Sequence, residues 1–297
     1  MNWLVTGGSG QVGAALLAAP PPGVRIIAPP RALLDLADPA LDPAPLIALE
    51  GITAIISCGA YTQVDRAEAD AALAMQVNGS APGILARAAA AASIPIVHVS
   101  TDYVFAGDKP APYGEDDPTG PRTSYGRSKL AGEEAVSASG ARHAIVRTAW
   151  VFSDHGQNFV KTMLRLGQSR DELGVVADQY GSPTHAGDLA AALAVIATAL
   201  ELDKSDSGIW HVTNVGETDW HGFATRIFAR AAINGRRAPK VNAITTADYP
   251  TPAARPVNSR LSTVRVARDF GLTLRPWQEA SDAVVDLLCA ADQGSPA

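Results

Sequence analysis

Along the first half of the chain, short apolar runs alternate with longer stretches whose apolar residues recur at helical spacing. The runs at 3–6, 24–28, 53–57, 94–100 and 144–148 are rich in Val and Ile and apolar on both faces, which predicts strands covered by helices on either side. Between them the pattern predicts a helix opening near Gln11, an alanine-rich helix over 81–92 and another over 124–139. This alternation is the sequence form of an α/β fold with a Rossmann-like, doubly wound parallel sheet. After residue 150 the rhythm changes, with helical stretches at 158–166, 188–200, 220–232 and 277–289 separated by loops containing Pro and Gly. The expected organisation is one domain over 1–150 and a smaller, mixed α/β C-terminal domain over 151–297, some segments of which return to pack on the first.

Charge narrows the partners. The 297 residues include 24 Lys and Arg against 30 Asp and Glu, a formal net charge of −6, and no basic block stands out. Nucleic acid is therefore not an expected partner. The best candidate for a membrane span, 189–200, is 12 residues long, against roughly 18 or more needed to cross a bilayer. The N-terminus has neither the charged leader nor the apolar stretch of a signal peptide, so no membrane partner and a cytoplasmic location are expected. Two cysteines, Cys58 and Cys289, make neither a disulfide framework nor a zinc site and read as structural. The loop acids Glu115-Asp116-Asp117 read as a solvated surface run. The six histidines are scattered without ligand spacing.

The segment Thr6-Gly7-Gly8-Ser9-Gly10-Gln11-Val12-Gly13 follows the first predicted strand and opens the first helix. Glycines at this spacing allow a tight turn, close approach of backbone N–H groups to a pyrophosphate, and close packing of helix on strand. Gly7, Gly10, Gln11, Val12 and Gly13 are thus candidate dinucleotide ligands at a helix N-terminus, where unpaired N–H groups favour anions. That makes 1–150 a dinucleotide-binding domain and 151–297 its substrate domain. The second strand ends in Ala28-Pro29-Pro30-Arg31, with no carboxylate before Asp35. A carboxylate there would favour NAD, whereas Arg31 is placed to pair with a 2′-phosphate, so the expected cofactor is NADPH, with NADH as the lesser choice.

Tyr125-Gly126-Arg127-Ser128-Lys129 puts a tyrosine and a lysine on one helical face, about one turn apart. A nearby ammonium tunes a phenol for proton transfer, and Lys129 can do this while hydrogen-bonding a nicotinamide ribose. Thr101 closes the fourth predicted strand, at the edge where open parallel sheets gather catalytic groups.

With glycine loop, hydroxyl and Tyr-x-x-x-Lys in this order, the chain resembles the extended short-chain dehydrogenase/reductase superfamily. Four longer stretches sharpen the likeness: 100–105 (STDYVF), 125–133 (YGRSKLAGE), 178–184 (DQYGSPT) and 255–261 (RPVNSRL). They resemble the signatures of the dTDP-4-dehydrorhamnose reductase family, from the first strand to Trp277. The resemblance implies reduction of the C4 ketone of dTDP-4-dehydro-L-rhamnose to dTDP-L-rhamnose, with Tyr125 as general acid and Thr101 as a hydrogen-bond partner. It also implies that Ala60, Tyr61 and Thr62 flank the cofactor, that Asp35 and Leu36 lie near its adenine, and that Asp102, Val104 and Trp150 contact the sugar nucleotide. Arg255 is the candidate for the substrate pyrophosphate.

Some members of the family hold magnesium at a dimer contact through two glutamates. The corresponding positions here are Ala15 and Gly187, which offer no oxygen ligand, so no metal is expected and a homodimer, if one forms, has no metal bridge. Two rival readings remain at this level. One is a non-catalytic relative resembling the regulatory beta subunit of methionine adenosyltransferase; the other is a reductase or epimerase of another nucleotide sugar. Intact Thr101, Tyr125 and Lys129 favour an enzyme.

Overall fold

The computed structural model describes residues 1–293. Its first half runs β1 (Asn2–Thr6), α1 (Gln11–Ala18), β2 (Arg25–Ile27), α2 (Ala44–Glu50), β3 (Ala54–Ser57), α3 (Ala71–Met75), a π-helical turn (Gln76–Ser80) and α4 (Ala81–Ala91). It continues through β4 (Ile96–Thr101), α5 (Ser124–Ser137) and β5 (His143–Thr148). Then come β6 (Val151–Phe152), α6 (Phe159–Gly167), β7 (Glu172–Val176), β8 (Tyr180–Gly181), β9 (Thr184–His185) and α7 (Ala186–Glu201). The chain closes with β10 (Gly208–His211), β11 (Thr218–Asp219), α8 (Trp220–Ile233), β12 (Lys240–Ile244), α9 (Val264–Phe270) and α10 (Trp277–Gln293).

Six strands form one parallel sheet in the order β10-β5-β4-β3-β1-β2. Side chains alternate between its faces because a strand repeats every two residues. Trp3, Val5, Ala54, Ile56, Val97, Ala144 and Val146 point to one side, packed under α1 and α7. Leu4, Ile55, Ile96 and Ile145 point to the other, against α2, α4 and α5. Five strands match the predicted runs within one or two residues; the sixth, β10, was not predicted. It comes from beyond residue 150 and pairs with β5, while α7 contributes Leu189, Leu193, Ile196 and Leu200 to the same core. A separate cluster, with Phe152, Val160, Phe223, Ile227, Trp277 and Val285, forms the core of a C-terminal lobe built on α6, α8 and α10.

The acidic loop differs from its expected solvated state. Only Asp116 is open to solvent; the Glu115 side chain is 5% exposed, pairs with Arg265 at 3.6 Å and accepts a hydrogen bond from the His211 amide at 3.1 Å. Asp117 accepts from Lys109 at 2.5 Å and from the Gly114 amide at 2.7 Å. The run ties the loop onto the β10 edge of the sheet, a long-range role that local composition does not reveal.

Candidate active site

The glycine loop lies where β1 meets α1 at the C-terminal edge of the sheet, and its steric demands are specific. Gly7 has φ +70°, and a Cβ there would fall 2.6 Å from Gly59 Cα. A Cβ on Gly13 would fall 2.3 Å from the Gly7 carbonyl oxygen, so α1 packs too tightly on the loop for any side chain. The cradle fits a dinucleotide pyrophosphate: its backbone leaves no room for a side chain at Gly7 or Gly13, and the first amides of a helix have no partner within it. Leu36 packs at Gly59, beside the loop. Arg31 is exposed and forms an ion pair with Asp35 at 3.0 Å.

After β3, the 60–62 segment is held by a residue that the sequence did not single out. Asn78, fully buried in the π-helical turn, accepts from the Tyr61 amide at 2.8 Å and donates to the Tyr61 carbonyl and to Ser128 Oγ, both at 3.0 Å. It thereby joins the segment after β3 to α5, the Tyr-x-x-x-Lys helix. Between Gln76 and Ser80, Asn78 is one of several polar residues in this stretch and gives no local signal. Two glycines of α5 complete the fit: a Cβ on Gly126 would lie 2.3 Å from the Tyr103 carbonyl oxygen, and one on Gly132 2.1 Å from that of Asn78. Between them α5 is pressed against both segments, bringing Tyr125 and Lys129 to the end of β4.

There Thr101 Oγ1 donates to Asp102 Oδ1 at 2.9 Å and accepts from the Tyr103 amide at 3.3 Å. Tyr125 packs edge-on against Tyr103, ring centroids 5.4 Å apart. Burial pushes the Tyr125 phenol up to about 12, the Thr101 contact acting in the opposite direction. Burial likewise lowers Lys129 to about 8, against the raising influence of Glu133 and Cys58, and its Nζ donates to the Val99 carbonyl at 2.6 Å. The ammonium is turned onto the strand backbone, and burial outweighs neighbouring charge at the Tyr125 phenol. The result is a phenol that keeps its proton at neutral pH, the state a proton donor needs. Asp102 is pushed up to about 6 by burial, with Ser259 and Thr101 hydrogen bonds opposing.

Of the residues expected to contact substrate, Val104 is fully buried in a cluster with Phe105, Tyr113, Ala149 and Leu261, so its side chain acts from beneath the site. Trp150 packs on that cluster, adopts φ +50° and stacks face to face with Trp220 at 3.5 Å. Arg255 is held by Asp65 at 2.7 Å and lines a cleft beside Tyr103. The same cleft is lined by Arg122, a second guanidinium absent from the sequence reading. Ala15 and Gly187 bring no oxygen to a metal, and the neighbouring Asp188 is engaged by Arg275 and Asn214, each at 2.8 Å. Burial would raise Asp188, but hydrogen bonds from His185, Arg275 and Asn214 hold it well below the usual carboxylate range. Among the described residues, no group of three or more His, Cys, Asp or Glu is arranged to hold a metal ion. Nor is any helix among them long and apolar enough to cross a membrane.

Comparison with known proteins agrees with this geometry. A family profile described as RmlD substrate binding domain matches residues 1–289. A dTDP-4-dehydrorhamnose reductase of Sinorhizobium fredii is 45% identical over 294 residues, 96% of this chain and 97% of the relative. A crystal structure of a dTDP-4-dehydrorhamnose reductase from Clostridium acetobutylicum superimposes with a TM-score of 0.89 at 37% identity, covering 97% of this chain and 99% of the other. One from Bacillus anthracis, in complex with NADP, has a TM-score of 0.89 at 34% identity, with 96% and 99% covered. Sequence, fold and site geometry thus agree that the chain belongs to the dTDP-4-dehydrorhamnose reductase family.

Proposed function

We propose that the chain reduces the C4 ketone of dTDP-4-dehydro-L-rhamnose to dTDP-L-rhamnose, with NADPH preferred over NADH. The observation that carries this reading is the convergence of Thr101, Tyr125 and Lys129 on the sheet edge that also carries the glycine cradle, in a chain matching reductases of that name over nearly its full length. When bound, the nicotinamide supplies hydride to the carbonyl carbon. Tyr125, protonated at neutral pH, holds its proton for the oxygen that gains charge, a contribution worth about 10²–10⁴ in rate. Thr101 is kept in register by Asp102 and the Tyr103 amide; turned from Asp102 toward the substrate, its single hydroxyl proton would orient that same oxygen. Lys129, whose Nζ meets the Val99 carbonyl at 2.6 Å, would donate to the nicotinamide ribose of a bound cofactor. Gly7, Gly10, Gln11, Val12 and Gly13 bind the cofactor pyrophosphate, Arg31 its 2′-phosphate, and Asp35, Leu36, Ala60, Tyr61 and Thr62 its remaining parts. Asp102, Trp150 and Arg255 bind the sugar nucleotide, presented by the lobe after residue 150 that does not return to the sheet.

Tyr125→Phe is expected to bind NADPH as the wild type does and to lose at least about 10²-fold in turnover of the keto-sugar nucleotide. Wild-type turnover in that variant would remove the mechanism. No metal takes part in this reading, so in the same assay EDTA leaves the rate unchanged; a metal-dependent rate would contradict it.

A further inference from the structure

The catalytic groups leave two features without a role: the segment 178–184, and the backbone of Trp150, whose φ of +50° lies in a region that a bulky side chain rarely adopts. The two belong together. The Trp150 carbonyl accepts from the Thr184 amide at 3.1 Å, next to the pairing of Val151 with Thr184. Its indole lies on Trp220, centroids 3.5 Å apart and planes within 11°. Gly181 lies against the same ring: a Cβ there would fall 2.4 Å from Trp150 Cε2. The antiparallel pairing of Gly181 with Thr218 and of Tyr180 with Asp219 brings both walls together. Asp219 then caps α8 by accepting from the Gly222 amide at 2.6 Å, which fixes Trp220 as the first helical residue. Two strands of two residues each thus form a slot for one indole. That indole packs on the cluster containing Val104, two positions beyond Asp102, and also on the core of the C-terminal lobe. It sits at the seam between catalytic edge and substrate lobe.

We propose that Trp220 is a positioning residue for substrate recognition: with Gly181 it clamps the Trp150 indole in the orientation that packs against the sugar of the nucleotide-sugar substrate. This rests on the function proposed above. A ring ordered before binding spares the complex the entropy of ordering it, so the effect falls on substrate affinity and its specificity more than on proton or hydride transfer.

The test compares wild type, Trp220→Ala, Trp220→Phe and Gly181→Ala in steady-state assays with the keto-sugar nucleotide, and by calorimetric titration with dTDP-L-rhamnose. Trp220→Ala is expected to raise the sugar-nucleotide KM and the dTDP-L-rhamnose Kd about ten-fold, with kcat changed less and the NADPH KM held within roughly two-fold. Trp220→Phe, which keeps a stacking face, restores most of the loss, and Gly181→Ala reproduces it. If Trp220→Ala does not fold, Trp220→Leu compared with Trp220→Phe gives the same contrast of apolar volume without and with a ring. An unchanged Kd for dTDP-L-rhamnose, or an equal rise in the NADPH KM, overturns the positioning role and leaves the proposed reaction standing. Wild-type protein that binds dTDP-L-rhamnose but reduces no keto-sugar nucleotide overturns the reaction instead.

Discussion

Lys129 shows how far a fold can move one residue from its solution chemistry. Burial lowers it from 10.5 to about 8, so the free enzyme holds a charged lysine below that pH and a neutral amine above it. The unfolded chain binds the extra proton between those values, so Lys129 costs stability at neutral pH, and the cost is relieved as pH rises through about 8 to 10.5. Function runs the other way. The kcat/KM for NADPH, which reports ionisations of the free enzyme, is expected to fall above pH about 8, well before the 10.5 of an ordinary lysine. A profile flat to pH 10 would contradict that assignment. Tyr125, raised by burial, stays protonated through this range. Arg31 gives a second residue-scale test. Its pair with Asp35 is exposed and weak, so little opposes its transfer to a 2′-phosphate. Hydrogen bonds to a charged group are worth roughly 1.5–3 kcal/mol, so Arg31→Ala is expected to cut the NADPH-to-NADH ratio of kcat/KM at least about ten-fold. An unchanged ratio would reassign Arg31 to the surface.

At the scale of elements, α5 decides the site, and it is held from below by a buried ion pair. Glu133 and Arg147, each 3% exposed, meet through two hydrogen bonds of 2.9 and 2.6 Å between α5 and β5, with the guanidinium also over the Phe105 ring. Removing one partner strands a charge in the core, so Glu133→Ala is expected to lower the unfolding free energy by about 3–5 kcal/mol, measured by urea denaturation. A loss below about 1 kcal/mol would mean that water already reaches the pair. The helix itself was legible in the sequence from its periodicity, and Tyr125 and Lys129 from their spacing of one turn. What holds the helix was not. In the sequence Glu133, Gly126 and Gly132 are only letters of the 125–133 stretch; their roles show once Arg147 is seen opposite the first, and Tyr103 and Asn78 pressed against the other two. Trp220 stayed equally silent, because its partner is 70 positions away. Contacts of this reach leave no trace in a local pattern.

For the whole molecule, the decisive feature is that the sheet is completed late in the chain. β10 covers the β5 edge, and α7 covers the face bearing Trp3, Val5, Ile56 and Val146. A fragment of residues 1–150 is therefore expected to expose that face and an unpaired edge, and to be aggregated or unfolded by circular dichroism and sedimentation. A folded, monomeric fragment would show that the first five strands suffice. The sequence by itself determined the local outcomes: strands apolar on both faces, a glycine turn that only a close backbone approach explains, and a tyrosine and lysine on one helical face. Each depends on residues within a turn or two of one another, where spacing translates directly into geometry. The tertiary structure alone decided which segments from beyond residue 150 join the first sheet, how Asn78 ties the segment after β3 to α5, and how a stacked tryptophan faces the seam. It also decided the protonation of Lys129 and Tyr125, because desolvation is set by everything packed around a group and not by its neighbours in the chain.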